Sequence, residues 1–149
     1  MPANTLEIHQ EIFIARKPEQ LWDFFMNQEG LKQWFDAKVF EIDVFEGGEH
    51  KFDIIRGGQP YRVTGETGLL QENKKLVFTW IERNQWGQKW FAPTNVSFEM
   101  SPTVDGTQFK IFHNGFKYLP EADQEEICKQ YQAYWAIDAL PRLKSIVSQ

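Results

Sequence analysis

The chain has 149 residues, 42% of them hydrophobic and 15% aromatic, with a formal net charge of −5. That length suits one domain able to bury about 70% of its unfolded surface, enough for a core without disulfides or metal. The acidic balance, with 16 scattered Lys and Arg, excludes a surface that tracks phosphates, which needs clustered basic residues.

The only cysteine, Cys128, has no internal disulfide partner. No charged-then-apolar leader opens the chain, and no apolar run approaches the ~20 residues that span a bilayer. The expectation is one soluble, cytoplasmic domain over residues 1–149, with monomer and dimer equally compatible with the composition.

In chain order, "LEIHQEIFI" (6–14) alternates apolar and polar residues, the period-two pattern of a half-buried strand. Pro18 then stands where a helix favours its first residue, and Leu21, Trp22 and Phe25 follow at helical spacing until Asn27 and Gly30. A second short helix, "GLKQWF", places Leu31, Trp34 and Phe35 on one side. Period two then returns, broken by turn signals at Gly47-Gly48, Gly57-Gly58, Asn73, the 84–93 loop and Asp105-Gly106. Six strands fit, at roughly 38–45, 49–56, 60–71, 75–83, 94–101 and 107–115. Pro120 opens a last helix over about 121–147, acidic in its first turns and carrying Tyr131, Trp135, Ala139 and Leu143 on an apolar stripe. Pro141 predicts a bend or a break in it.

This order gives an α+β fold: a curved, seven-stranded antiparallel sheet wrapped around a long C-terminal helix, with two short helices between strands 1 and 2. A twisted sheet of that width does not match the curvature of one helix. Large side chains must fill the space between them, or it stays open as a pocket. The density of aromatics, 13 Phe and 6 Trp, fits such a space, and Trp34, Phe40, Phe52, Phe78, Trp80, Phe98, His113, Tyr131 and Trp135 are the expected walls of a ligand-binding cavity.

The segments "IARKPEQLWDFF", "LKQWF", "EGGEHKFDI", "LVFTWIE", "NVSFEM" and "DGTQFKIFHNGF", with Trp135 and the closing "RLKSIV", form an ordered set across nearly the whole chain. In that set the chain resembles the START-like (SRPBCC, birch-pollen-allergen-like, helix-grip) superfamily. Within it, the chain is similar to the family of the C-terminal domain of the activator of the heat-shock protein 90 ATPase. The resemblance implies the helix-grip fold. It implies less about activity, since superfamily members include ligand carriers, lipid-transfer domains and polyketide cyclases.

Among individual candidates, His113 is in phase with Phe109 and Ile111 and faces wherever they face. It is either an orienting group for a ligand or a structural histidine bonding its neighbours. Trp80 is either a stacking wall with one indole N–H donor or plain core. Glu82, at the end of the same strand, reads as a solvated rim residue. Trp86, Trp90 and Phe91 lie in a polar loop, where they could gate a cavity mouth, meet a protein partner, or fold back on the domain. No two of the three histidines have ligand spacing, so no metal is expected, and no cofactor either. "GGQPYRVTGETG" lacks the Lys-Ser/Thr ending of a phosphate loop. Cys128 beside Glu125 and Glu126 reads as an unactivated helix-face residue.

Three readings of function stay open. The first is a small-molecule binder for an apolar or aromatic ligand, oriented by His113, Tyr131 and Trp80. The second is a protein-interaction or co-chaperone-like module acting on a chaperone ATPase. The third is a cyclase- or hydrolase-type enzyme using the same cavity, for which only His113 and Asp138 offer an acid or base. Neither a nucleic-acid partner nor a membrane span is expected.

Overall fold

The computed structural model describes residues 6–35, 40–83, 90 and 92–148, the side chain of Phe40 excepted. Seven strands form one antiparallel sheet: β1 (Ile8–Ile14), β2 (Phe40–Ile42), β3 (Glu49–Arg56), β4 (Gln59–Gln71), β5 (Lys75–Arg83), β6 (Thr94–Pro102) and β7 (Thr107–Asn114). Their spatial order is β1-β7-β6-β5-β4-β3-β2. Helices α1 (Pro18–Phe25) and α2 (Gln28–Phe35) lie between β1 and β2 in the chain, and the C-terminal helix runs from Glu121 to Val147. This is the α+β helix-grip arrangement expected from the sequence.

Local chemistry explains each boundary. At the start of α1, Gln20 Oε1 accepts the Lys17 N–H at 2.9 Å while Pro18 occupies a position where no N–H is needed. Asn27 caps α2 by accepting the Glu29 N–H at 2.9 Å. Strand β2 is shorter than the alternation suggests, because Asp43 begins a turn: the Phe45 N–H bonds Asp43 C=O and the Gly48 N–H bonds Phe45 C=O. Residues 36–39 lie outside the described chain. The hairpin between β3 and β4 pairs Arg56 with Gln59 around Gly57 and Gly58, whose φ values of 57° and 80° suit a two-residue turn of the primed type.

The last helix neither breaks nor stops at Pro141. It runs as α3 (Glu121–Ala133), widens to a π segment (Tyr134–Ala139), and resumes as α4 (Leu140–Val147). A proline ring presses on the carbonyl four residues back, here Ile137, and supplies no donor to it. The wider turn upstream accommodates both effects without ending the helix. Trp34 Nε1–H donates to Ala139 C=O at 2.8 Å, and Arg142 Nη1 reaches the Trp34 carbonyl at 2.7 Å, so the π segment is also where α2 docks.

Candidate functional site

The interior between sheet and helix holds a continuous cluster of aromatic rings among aliphatic side chains. Trp34 stacks on Phe35, and Phe35 on Phe52, with centroids 4.8 Å apart in each case. Phe98 packs against Phe25, Trp34, Phe78 and Phe109, and Trp80 against Phe52 and Trp135. Of the expected cavity residues, Trp34, Phe52, Phe78, Trp80, Phe98, His113, Tyr131 and Trp135 are all buried in this one cluster. The side chain of Phe40 lies outside the described residues. Between the rings is a void of about 10 Å³, lined by Phe52, Phe78, Trp80 and Phe98 together with Leu31, Phe35, Ile42 and His50. That is room for one water at most.

The polar groups around His113 satisfy one another. The Trp135 Nε1–H donates to His113 Nδ1 at 3.1 Å, which leaves the His113 proton on Nε2. Nε2 then meets Thr94 Oγ1 at 2.8 Å, and Thr94 Oγ1 donates to the Trp80 carbonyl at 2.9 Å. Burial holds the His113 pKa down to about 3. With both ring nitrogens committed, His113 is a structural tie between β6, β7 and the C-terminal helix.

Glu82 is not a solvated rim residue. It is 3% exposed, and its carboxylate accepts Arg56 Nε at 2.8 Å and Tyr131 Oη at 2.6 Å, with Arg56 Nη2 on its other oxygen. The alternation placed it correctly on the inner face, but Arg56 could not be paired with it from sequence. Tyr131 in turn accepts the Trp80 Nε1–H at 2.8 Å. Burial opposes the charge on Arg56, but the hydrogen bonds and charge of Glu82 outweigh it and raise its pKa. For Tyr131, burial and the adjacent carboxylate push the pKa well up. Gln130 closes the cluster from α3, bonding Arg56 Nη1 and approaching so near to Gly57 that a Cβ there would lie 2.5 Å from its Oε1. The Trp90 N–H bonds Glu82 C=O at 3.2 Å and its ring lies edge-on to Tyr131, so this end of the 84–93 loop folds back on the domain. Trp86 and Phe91 lie outside the described residues.

The remaining candidates are quiet. Asp138 is exposed on the π segment. Cys128 is buried, and burial raises its thiol pKa. Among the described residues no group of three or more His, Cys, Asp or Glu side chains gathers where it could hold a metal. No helix among them is long and apolar enough to cross a membrane.

A different feature has the geometry of a site. A groove of about 980 Å³ opens along β2, β3, β4 and β5, bordered by Gln28, Glu41, Asp43, Glu49, Lys51, Thr64, Glu66, Thr79, Ile81 and Pro93 and reaching Ile42, His50 and Gly65. Ile42 and His50 also line the aromatic void, so these two side chains alone are common to groove and void among the described lining residues. The sheet is irregular here. The β4–β5 pairing holds at Thr64–Ile81 and, in the same register, at Thr67–Phe78, and shifts register just beyond, between Thr67 and Leu69. Between the two in-register pairs the Thr79 hydroxyl enters the ladder, accepting the Glu66 N–H at 2.8 Å and meeting the Glu66 carbonyl at 3.4 Å. At Gly65 a Cβ would lie 2.1 Å from the Thr79 carbonyl oxygen and 2.8 Å from His50 Nε2. Only glycine lets the imidazole and the neighbouring strand approach this closely.

His50 itself is 4% exposed, and neither ring nitrogen has a hydrogen-bond partner among the described residues. Burial pulls its pKa down to about 4, offset in part by the Thr79 carbonyl. Histidine spacing alone does not set His50 apart in the sequence. Its signal was present, since His50 shares the phase of Phe52, Ile54 and Arg56, all inward-facing in β3.

Residues 15–143 match the family described as Activator of Hsp90 ATPase homolog 1-like protein. The chain belongs to this family. Its solved structural relatives include a protein of Mesorhizobium loti (19% identity, TM-score 0.73, covering 95% of this chain and 96% of that one). A Chromobacterium violaceum protein is similar at 19% identity and TM-score 0.73, over 96% and 97% of the two chains. A protein of Mycobacterium smegmatis reaches TM-score 0.76 at 12% identity, over 96% and 91%. At these identities the likeness is one of fold. No relative is found among curated proteins.

Proposed function

We propose that this family member binds a small apolar or aromatic molecule, which enters through the groove over β2–β5 and sets its flat part against the aromatic wall behind Ile42 and His50. The observation that carries this reading is the sharing of those two side chains by groove and void. The groove falls in the size range of small-molecule pockets, roughly 300–1,000 Å³. Because the void is small, a ligand seated beyond the groove has to displace side chains at its inner end, and Ile42 and His50 stand there. Apolar burial at about 25 cal/mol per Å² supplies the affinity, less the cost of that rearrangement.

A co-chaperone-like role would be favoured by a contiguous exposed aromatic patch. Among the described residues the large exposed apolar side chains, such as Phe45, Ile55, Tyr118 and Ile137, come from different segments of the chain. The test is intrinsic tryptophan fluorescence during titration with a panel of flat aromatic and fatty molecules, on wild type and on Trp80→Phe. Saturable quenching at micromolar ligand that weakens in the variant supports the reading. A flat response across the panel, in folded protein free of co-purified ligand, would turn the assignment toward a protein partner.

A further inference from the structure

We propose that His50 is the polar anchor of this site: its Nδ1 accepts a hydrogen bond from an uncharged, mainly apolar ligand carrying one hydroxyl or N–H group. The proposal rests on the small-molecule reading above and narrows its ligand class.

The contrast between the two buried histidines is the starting point. His113 has both nitrogens bonded within the fold, whereas His50, nearly as buried, has only the Thr79 carbonyl on its Nε2 side and no partner for Nδ1 among the described residues. A buried polar group without a partner is rare and costly, and a phenyl ring of similar size would fill the space without that cost. The imidazole sits where the groove meets the aromatic void, so what it lacks is available to a molecule entering there.

The surroundings fix the chemistry of that molecule. The Thr79 carbonyl lies on the Nε2 side, over Gly65, so the ring proton is best placed on Nε2 and Nδ1 is left as an acceptor. The ligand group must therefore donate. Among the described residues, Glu41, Asp43, Glu49 and Glu66 border the groove against a single lysine, Lys51, which is already 3.4 Å from Glu41. This border disfavours anions. Behind His50, the rings of Phe52 and Phe78 lie with centroids 5.6 and 5.8 Å from the imidazole and offer a flat apolar body its contacts.

The experiment pairs 2-naphthol with 2-methylnaphthalene, which replaces the hydroxyl by a methyl group of similar size. Both are titrated by calorimetry into wild type, His50→Phe and His50→Leu, each variant first shown to be folded by its thermal transition. In parallel, ¹⁵N NMR of the wild-type imidazoles reads Nδ1 directly. Wild type is expected to bind 2-naphthol roughly 3- to 10-fold more tightly than the methyl analogue. Both variants should lose that preference while still binding 2-methylnaphthalene, and only 2-naphthol should shift the His50 Nδ1 resonance. Equal binding of the two probes by wild type, or a preference that survives in both variants, overturns the anchor but leaves the ligand reading standing. Absence of binding by either probe to wild type overturns both.

Discussion

At the scale of single residues, the two buried histidines make the protein's stability depend on pH. Both are held neutral by burial, with pKa values of about 4 for His50 and about 3 for His113, against 6.5 in the unfolded chain. Between those values the unfolded chain binds more protons, so stability is full above pH 6.5 and is lost as pH falls toward 4 and 3. Each histidine contributes a slope of up to about 1.4 kcal/mol per pH unit within its window. Urea unfolding of wild type should therefore weaken between pH 6.5 and 5, before most carboxylates titrate. In His50→Phe the slope should fall by about half, and stability at pH 7 should equal or exceed that of wild type, because an apolar ring replaces an imidazole whose Nδ1 has no partner among the described residues. An unchanged slope would mean that His50 is not held neutral in the fold. Sequence phase was enough to place His113 and Trp80 on the inner face. It could not show that His113 was fully bonded and His50 was not, because their partners come from strands and a helix distant in the chain.

At the scale of elements, the β3–β4 hairpin meets α3 through Arg56, Gly57 and Gln130. The turn at Gly57-Gly58 was legible, since paired glycines between two alternating runs signal it directly. The ionic cluster beneath it was not: Arg56, Glu82 and Tyr131 are brought together only by the curl of the sheet around the helix. Arg56→Met leaves the Glu82 carboxylate buried without its cation and should cost roughly 3–5 kcal/mol. Glu82→Leu should cost a similar amount by stranding the guanidinium. The double variant should cost much less than the sum, a coupling that urea unfolding of the four proteins would measure. Strictly additive losses would contradict a paired, desolvated cluster. The same limit of sequence reading applies to the C-terminal helix. Pro141 announced a disturbance, but whether it kinks, breaks or widens the helix depends on what packs alongside, and here Trp34 takes up the Ala139 carbonyl.

Across the whole molecule, the order of elements and the aromatic excess were sufficient for the α+β helix-grip fold and for an interior walled by rings. They could not give the free volume inside, because close packing is set by rotamers and by sheet curvature rather than by residue type. The described interior holds a void of about 10 Å³, and the larger space lies in the groove, which shares Ile42 and His50 with it. Binding through that groove is the central claim. It is tested most directly by ¹H–¹⁵N amide NMR of the full chain titrated with 2-naphthol. Saturable shifts centred on Ile42, His50, Gly65, Glu66 and Thr79 are the predicted result. Saturable shifts confined to distant surfaces such as α3, or no saturable shift at all, would contradict it.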